Sequence, residues 1–185
     1  MADYQELVTS VCAEILAALQ AVDARAVDAL RQAINQAPRV FVAGRGRSGL
    51  QLRAFAMRIM HMGLTTFVVD DVTTPAIQAD DLLLLGSGSG GTASLVQHAA
   101  RAKALKARLA LITATPASPI GQQADIVVHI PAASPKVASA VMSIQPMANV
   151  FEQSLLVLLD IVTIQMMRER GLTSEQMFTR HANLE

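Results

Sequence analysis

The 185-residue chain is 52% hydrophobic and 16% charged. Low hydrophobicity with high net charge is the signature of disorder, and that class is excluded. Fifteen basic residues balance fifteen acidic ones, so no basic excess marks a nucleic-acid binder. The single cysteine, Cys12, excludes an intrachain disulfide framework and a cysteine-based zinc site.

Residues 4–22 carry Leu7, Val11, Ile15, Leu19 and Val22 at helical spacing. Asp23 is a plausible N-cap for a second helix over 24–36, with Val27, Leu30 and Ile34 on one face, and Pro38 stops it. Together 1–38 read as a mildly acidic helical arm. No basic segment followed by an apolar one begins the chain, so no signal peptide is expected and a cytoplasmic location is.

From Arg39 short apolar runs alternate with helical segments. The runs are Val40–Ala43, Thr66–Val69, Leu82–Leu85, Leu109–Thr113 and Ile126–Ile130. Helical period fills 48–62 and 92–107, with a short helical piece near 117–124. Continuous apolar strands separated by helices predict a parallel sheet covered on both faces. After a loop from Pro131 to Pro146, in which Lys136 has no assigned role, a last long helix is expected at about 147–170. Gly171 ends it, and Thr173 or Ser174 caps a final turn. No uninterrupted apolar run nears the ~20 residues of a spanning helix. Leu155–Met167 is broken by Asp160, Thr163 and Gln165, so no membrane association is expected. The expected architecture is a three-layer αβα sandwich, a doubly wound α/β domain with a five-stranded parallel flavodoxin-like sheet and added N-terminal helices. The nine methionines, Met57, Met60 and Met62 among them, read as core or subunit packing.

Two strand-to-helix loops carry chemistry. Gly44-Arg45-Gly46-Arg47-Ser48-Gly49 fits the G-x-G-x-x-G pattern, and Asp70 lies where a ribose-binding acid of a dinucleotide fold would sit. Glycine at such a turn also has purely steric reasons. The second loop is Gly86-Ser87-Gly88-Ser89-Gly90-Gly91-Thr92. It opens a helix, whose N-terminus favours an anion, and Ser87, Ser89 and Thr92 add hydroxyl donors. No lysine follows, so it is not a Walker loop. In a flavodoxin-like sheet both loops, with Ser48, reach the switch-point crevice.

These two motifs together resemble the sugar isomerase (SIS) domain. Phe55-Ala56-Met57-Arg58-Ile59-Met60-His61-Met62-Gly63, Thr73-Thr74-Pro75, Phe151-Glu152-Gln153 with Asp160, and Arg180-His181-Ala182-Asn183-Leu184 resemble its 6-phospho-3-hexuloisomerase branch. The resemblance covers nearly the whole chain. It implies a single SIS domain over 1–185: an arm at 1–38, a sheet core at 39–130 and C-terminal helices at 147–185. It implies isomerisation of arabino-3-hexulose 6-phosphate to fructose 6-phosphate, in formaldehyde fixation by the ribulose monophosphate route. Phosphate or sugar oxygens would be held by Ser48, Ser87, Gly88, Ser89, Gly90, Gly91 and Thr92. Gly91 departs from the pattern, where a larger, often charged residue is expected.

The resemblance assigns proton transfer to Glu152, although Asn149 and Glu152 also fit a helix-capping pair. It offers His181 to polarise the sugar oxygens, from the same or a neighbouring subunit, although a residue so near the C-terminus also fits a plain surface position. His61, His98 and His129 are too scattered for a metal site, and no metal or other cofactor is expected. Arg45 and Arg47 are candidate phosphate supports, and Asp70 and Asp71 read as loop or sugar-side residues. A homo-oligomer is expected from the apolar helix faces, a tetramer from the resemblance, with a functional link to 3-hexulose-6-phosphate synthase. The rivals are an arabinose 5-phosphate isomerase, a non-catalytic phosphosugar sensor, and a dinucleotide-binding module built on Gly44, Gly46, Gly49 and Asp70.

Overall fold

The computed structural model describes residues 3–133 and 142–184. Lys136 and the middle of the 131–146 loop lie outside the described residues.

Five strands form one parallel sheet: β1 (Val40–Gly44), β2 (Thr66–Val68), β3 (Leu82–Gly86), β4 (Arg108–Thr113) and β5 (Ile126–His129). Their order is β2-β1-β3-β4-β5, with Val40 beside Leu82 and Gly44 beside Gly86. The strands are nearly continuous in apolar residues because both faces are buried. Val40, Val42, Leu82, Leu84, Ala110 and Ile112 point into one core and Phe41, Ala43, Leu83, Leu85, Leu109 and Leu111 into the other. That alternation is the period of a strand. The first core is closed by α2 (Ala24–Gln36), α3 (Gly46–His61) and α5 (Asn149–Arg170), the second by α4 (Ala93–Ala104). Helix α1 (Tyr4–Gln20) packs along α5, and α6 (Ser174–Phe178) follows it. The expected three-layer flavodoxin-like sandwich is the observed fold.

The caps explain most boundaries. Asp3 and Glu6 form a capping box at the start of α1, Asp23 caps α2, and Thr173 with Gln176 boxes α6. Gly171 ends α5 at φ 63°, the left-handed conformation that favours glycine. Residues 117–124, expected as a short helical piece, form a run of turns. Pro116 and Pro119 remove helical donors there, and a Cβ on Gly121 would lie 1.9 Å from the Pro116 carbonyl.

Helix α5 corrects a second expectation. Over 22 residues it is long and apolar enough to cross a membrane by length and composition. Counting uninterrupted apolar residues missed this, since Asp160, Thr163 and Gln165 interrupt the run without offsetting its average. Half of that stretch is buried inside the domain, as in the core helix of a globular protein.

Candidate active site

Strands β1 and β3 are neighbours whose following helices cover opposite faces of the sheet. Their carboxyl ends open a crevice at the topological switch point. A cavity of about 310 Å3 fills it, lined by Ser48, Ser87, Gly88, Ser89, Thr92 and Glu152 among others. That is the lower end of the ~300–1,000 Å3 usual for small-molecule sites.

The 86–92 loop is held from behind. The Gly88 carbonyl accepts from the Ala114 amide at 3.1 Å and from the Thr113 and Thr115 hydroxyls at 3.2 and 3.1 Å. The Ile120 amide donates to the Gly90 carbonyl at 3.1 Å. With carbonyls committed to the scaffold, the loop turns other groups forward. The amides of Ser89, Thr92, Ala93 and Ser94 have no partner among the described residues. Thr92 is the N-cap of α4, yet its hydroxyl makes no capping bond and remains available. Several free donors at a helix N-terminus make an anion site.

The expected binding set divides here. Ser48, Ser87, Gly88, Ser89 and Thr92 line the cavity, whereas Gly90 and Gly91 do not. The Gly90 amide donates to the Ser87 hydroxyl at 3.1 Å, and that of Gly91 reaches the Ser89 hydroxyl at 3.4 Å. Both glycines therefore shape the loop rather than face the cavity. Gly91 has room for a side chain, since a Cβ there meets nothing closer than 3.8 Å.

In the first loop Gly44 and Gly49 pack strand against helix. A Cβ on Gly49 would lie 2.7 Å from the Gly44 carbonyl. Both arginines of this loop are paired with acids. Arg45 bonds the Ser94 hydroxyl at 2.9 Å and pairs with Asp70. Asp71 pairs with Arg53 at 2.6 Å. Asp70 is thus engaged by Arg45, and it is not among the residues that line the cavity. Arg47 pairs with Glu152 at 2.5 Å and does not line the cavity, whereas Arg45 lines it while paired with Asp70.

Glu152 stands in the first turn of α5, and its side chain is 14% exposed. The capping alternative is not formed. The N-cap is Ala148, Asn149 is already helical, and no side chain caps this end. The Glu152 carboxylate turns instead to the cavity and to Arg47.

His181 is elsewhere. With Arg58, His61, Asp160, Thr163 and Phe178 it lines a separate cavity of about 480 Å3. Its ring lies 5.4 Å from that of His61 and 5.5 Å from that of Phe178. Asp160 and Thr163 stand eight to eleven residues along α5 from Glu152, roughly 12–17 Å at ~1.5 Å per residue. The two expected catalytic groups are therefore not brought together within one protomer. His61 is buried, and burial first, then the charges of His181 and Arg58, hold its pKa below the ordinary value.

Sequence reasoning missed the loop supports Thr113, Thr115 and Ser118, and the cavity residues Met147 and Phe151. Hydroxyls at a strand end and in a turn carry no signal that separates them from ordinary turn residues. Met147 adopts φ 59° just before α5, a left-handed conformation costly for its side chain, at the lip of the cavity. Among the described residues no group of three or more His, Cys, Asp or Glu is placed to hold a metal ion.

Fold and loop define an α/β domain with an anion cradle at its switch point. Residues 33–161 match the SIS domain family. A 3-hexulose-6-phosphate isomerase of Bacillus subtilis (strain 168) is 47% identical over 160 residues, 85% of this chain and 86% of that protein. One from Mycobacterium gastri is 48% identical over 164 residues, 89% of this chain and 82% of that protein. The crystal structure of a hypothetical protein from Methanococcus jannaschii, for which a function of 3-hexulose-6-phosphate isomerase was inferred, superposes with a TM-score of 0.86. It is 32% identical, over 97% of this chain and 99% of that one. The chain belongs to the SIS domain family and, within it, to the 3-hexulose-6-phosphate isomerases.

Proposed function

We propose that this chain isomerises arabino-3-hexulose 6-phosphate to fructose 6-phosphate. The carrying observation is a single carboxylate, Glu152, in the wall of a cavity that is also lined by a hydroxyl- and amide-rich anion cradle. The phosphate sits on Ser87, Ser89, Thr92 and the free amides at the start of α4, with Ser48 reaching a phosphate or sugar oxygen. Anchoring the phosphate holds carbons 2 and 3 before Glu152.

Moving the carbonyl from carbon 3 to carbon 2 then takes three proton steps. Glu152 removes the proton from carbon 2, and the carbonyl electron pair moves to oxygen 3, giving an enediolate. One proton passes from oxygen 2 to oxygen 3. Glu152 returns its proton to carbon 3, and oxygen 2 becomes the carbonyl. One base beside both carbons is enough, and neither metal nor cofactor is assigned a step.

His181 enters this chemistry only from another copy of the chain. Exposed apolar side chains at Leu7, Val8 and Leu16 of α1 and Val157, Ile161 and Ile164 of α5 support a homo-oligomer, and family likeness supports a tetramer. Charged sugar phosphates support a cytoplasmic site of action and a place beside a 3-hexulose-6-phosphate synthase in formaldehyde assimilation. All 185 residues are read as one SIS domain, with its arm at 1–38, core at 39–130 and C-terminal helices at 147–185.

Glu152→Gln is the test. It keeps the side-chain volume and removes the base, so turnover falls by about 10²–10⁴-fold. Fructose 6-phosphate affinity holds, and solvent deuterium exchange into it falls with turnover. A folded variant with near-normal turnover and exchange would remove Glu152 from the mechanism.

A further inference from the structure

Arg47 is the second residue of α3, and no acid stands in the first turn of that helix. A cation there opposes the positive end of the helix dipole. Its side chain is 54% exposed, so no burial holds it. It does not line the cavity, whereas Glu152 does. Its hydrogen bond is a single one, from Nε to Oε2 of Glu152, 105 residues away in sequence. Oε1 of Glu152 has no partner among the described residues. A residue placed against its own helix, outside the cavity wall and bonded to one oxygen of the base, has the geometry of a support.

We propose that Arg47 is a positioning residue for Glu152. Resting on the reading of Glu152 as the base, it deepens that reading by one residue. The guanidinium holds Oε2 and so fixes the carboxylate plane. Oε1 alone then takes the proton from carbon 2 and returns it to carbon 3. Without the tether the carboxylate samples several rotamers, and few of them reach both carbons. The pair also keeps Arg47 from turning to the substrate phosphate, which is left to the cradle of hydroxyls and amides.

The experiment is a cycle of five proteins: wild type, Arg47→Met, Arg47→Lys, Glu152→Gln and the Arg47→Met/Glu152→Gln double variant. Each is checked for a native melt. Turnover and KM are measured with the hexulose phosphate, and fructose 6-phosphate binding by calorimetry. Arg47→Met is expected to lower kcat by about 10–100-fold, the scale of a misplaced catalytic group. KM and fructose 6-phosphate affinity stay within about threefold. Arg47→Lys restores part of the loss, and the double variant is no slower than Glu152→Gln alone. A parallel loss of fructose 6-phosphate affinity in Arg47→Met would make Arg47 a phosphate ligand and overturn the proposal. Multiplying losses in the double variant would show that Arg47 acts apart from Glu152, and would overturn the proposal equally. Near-normal turnover in Glu152→Gln would instead sink the base assignment itself, and the positioning role with it.

Discussion

Ser118 occupies the space that a side chain on Gly90 would need. A Cβ on Gly90 would lie 1.9 Å from the Ser118 Oγ and 2.5 Å from its Cβ, and Gly90 itself holds φ 57°. Ser118 is buried and accepts from the Gly121 amide at 3.2 Å, so it has nowhere to retreat. The phosphate cradle is thus pinned from below by a turn nearly thirty residues downstream.

From that relationship the two adjacent glycines part company. Gly90→Ala combines a left-handed backbone with a clash, each costing on the order of 1–3 kcal/mol. It should weaken fructose 6-phosphate binding at least tenfold in calorimetry. Gly91→Ala finds open space at a backbone without positive φ. It should raise stability by about 0.4–1 kcal/mol through the unfolded chain, with affinity kept. Equal behaviour of the two variants would mean that the loop is not held as described.

The strands and both loops were readable because each follows a local rule: an unbroken apolar run for a doubly covered strand, clustered glycine and hydroxyl for an anion turn. Glu152 was readable only through family likeness, since Asn149 and Glu152 obey a capping rule just as well. What defeats that rule is backbone context. Met147 at φ 59° and Ala148 at φ −106° bring the chain in so that the helix has begun by Asn149. The pairs Arg47–Glu152 and Arg45–Asp70 join positions far apart in sequence, and no local pattern reports them. The separation of His181 from Glu152 is likewise a matter of where the tail folds back.

Glu14 ties the approach to the cavity down onto α1. Its carboxylate accepts from the Ser143 hydroxyl, the Ile144 amide and the Gln145 side-chain amide at 2.8, 2.8 and 3.0 Å. Burial raises its pKa, but the bonds from Ile144, Gln145 and Ser143 outweigh that, and the net displacement is below the ordinary 4.5. The folded state then binds fewer protons than the unfolded one. The contribution is fully present above about 4.5 and is lost as pH falls through the lowered value. Glu14→Ala should cost about 1–2 kcal/mol at pH 7, the scale of hydrogen bonds to a charged group. Urea melts from pH 7 to pH 3 should show wild type and variant converging as acid removes what the mutation already removed. A constant gap across that range would deny the carboxylate any such role.

His61 gives the opposite end of the molecule a pH response of its own. The residue is 4% exposed and its ring stacks on His181, with Arg58 of α3, Asp160 of α5 and Arg180 of the tail around it. Arg180 lies across Gly63, which holds φ 88°, and donates to the His61 carbonyl at 3.4 Å. Burial is the main cause that lowers the His61 pKa, and the charges of His181 and Arg58 add to it. Asp160 faces the same cavity. A histidine lowered on folding takes up more protons when unfolded. The folded tail is therefore favoured in full above about 6.5 and loses ground as pH falls from there toward the lowered value. Hydrogen exchange over 174–181 should quicken between pH 7.5 and 5.5 beyond the intrinsic dependence of amide exchange. His61→Leu keeps an apolar side chain and removes the titration, and should flatten that excess. A wild-type excess that survives unchanged in His61→Leu would deny His61 the response and leave it as packing.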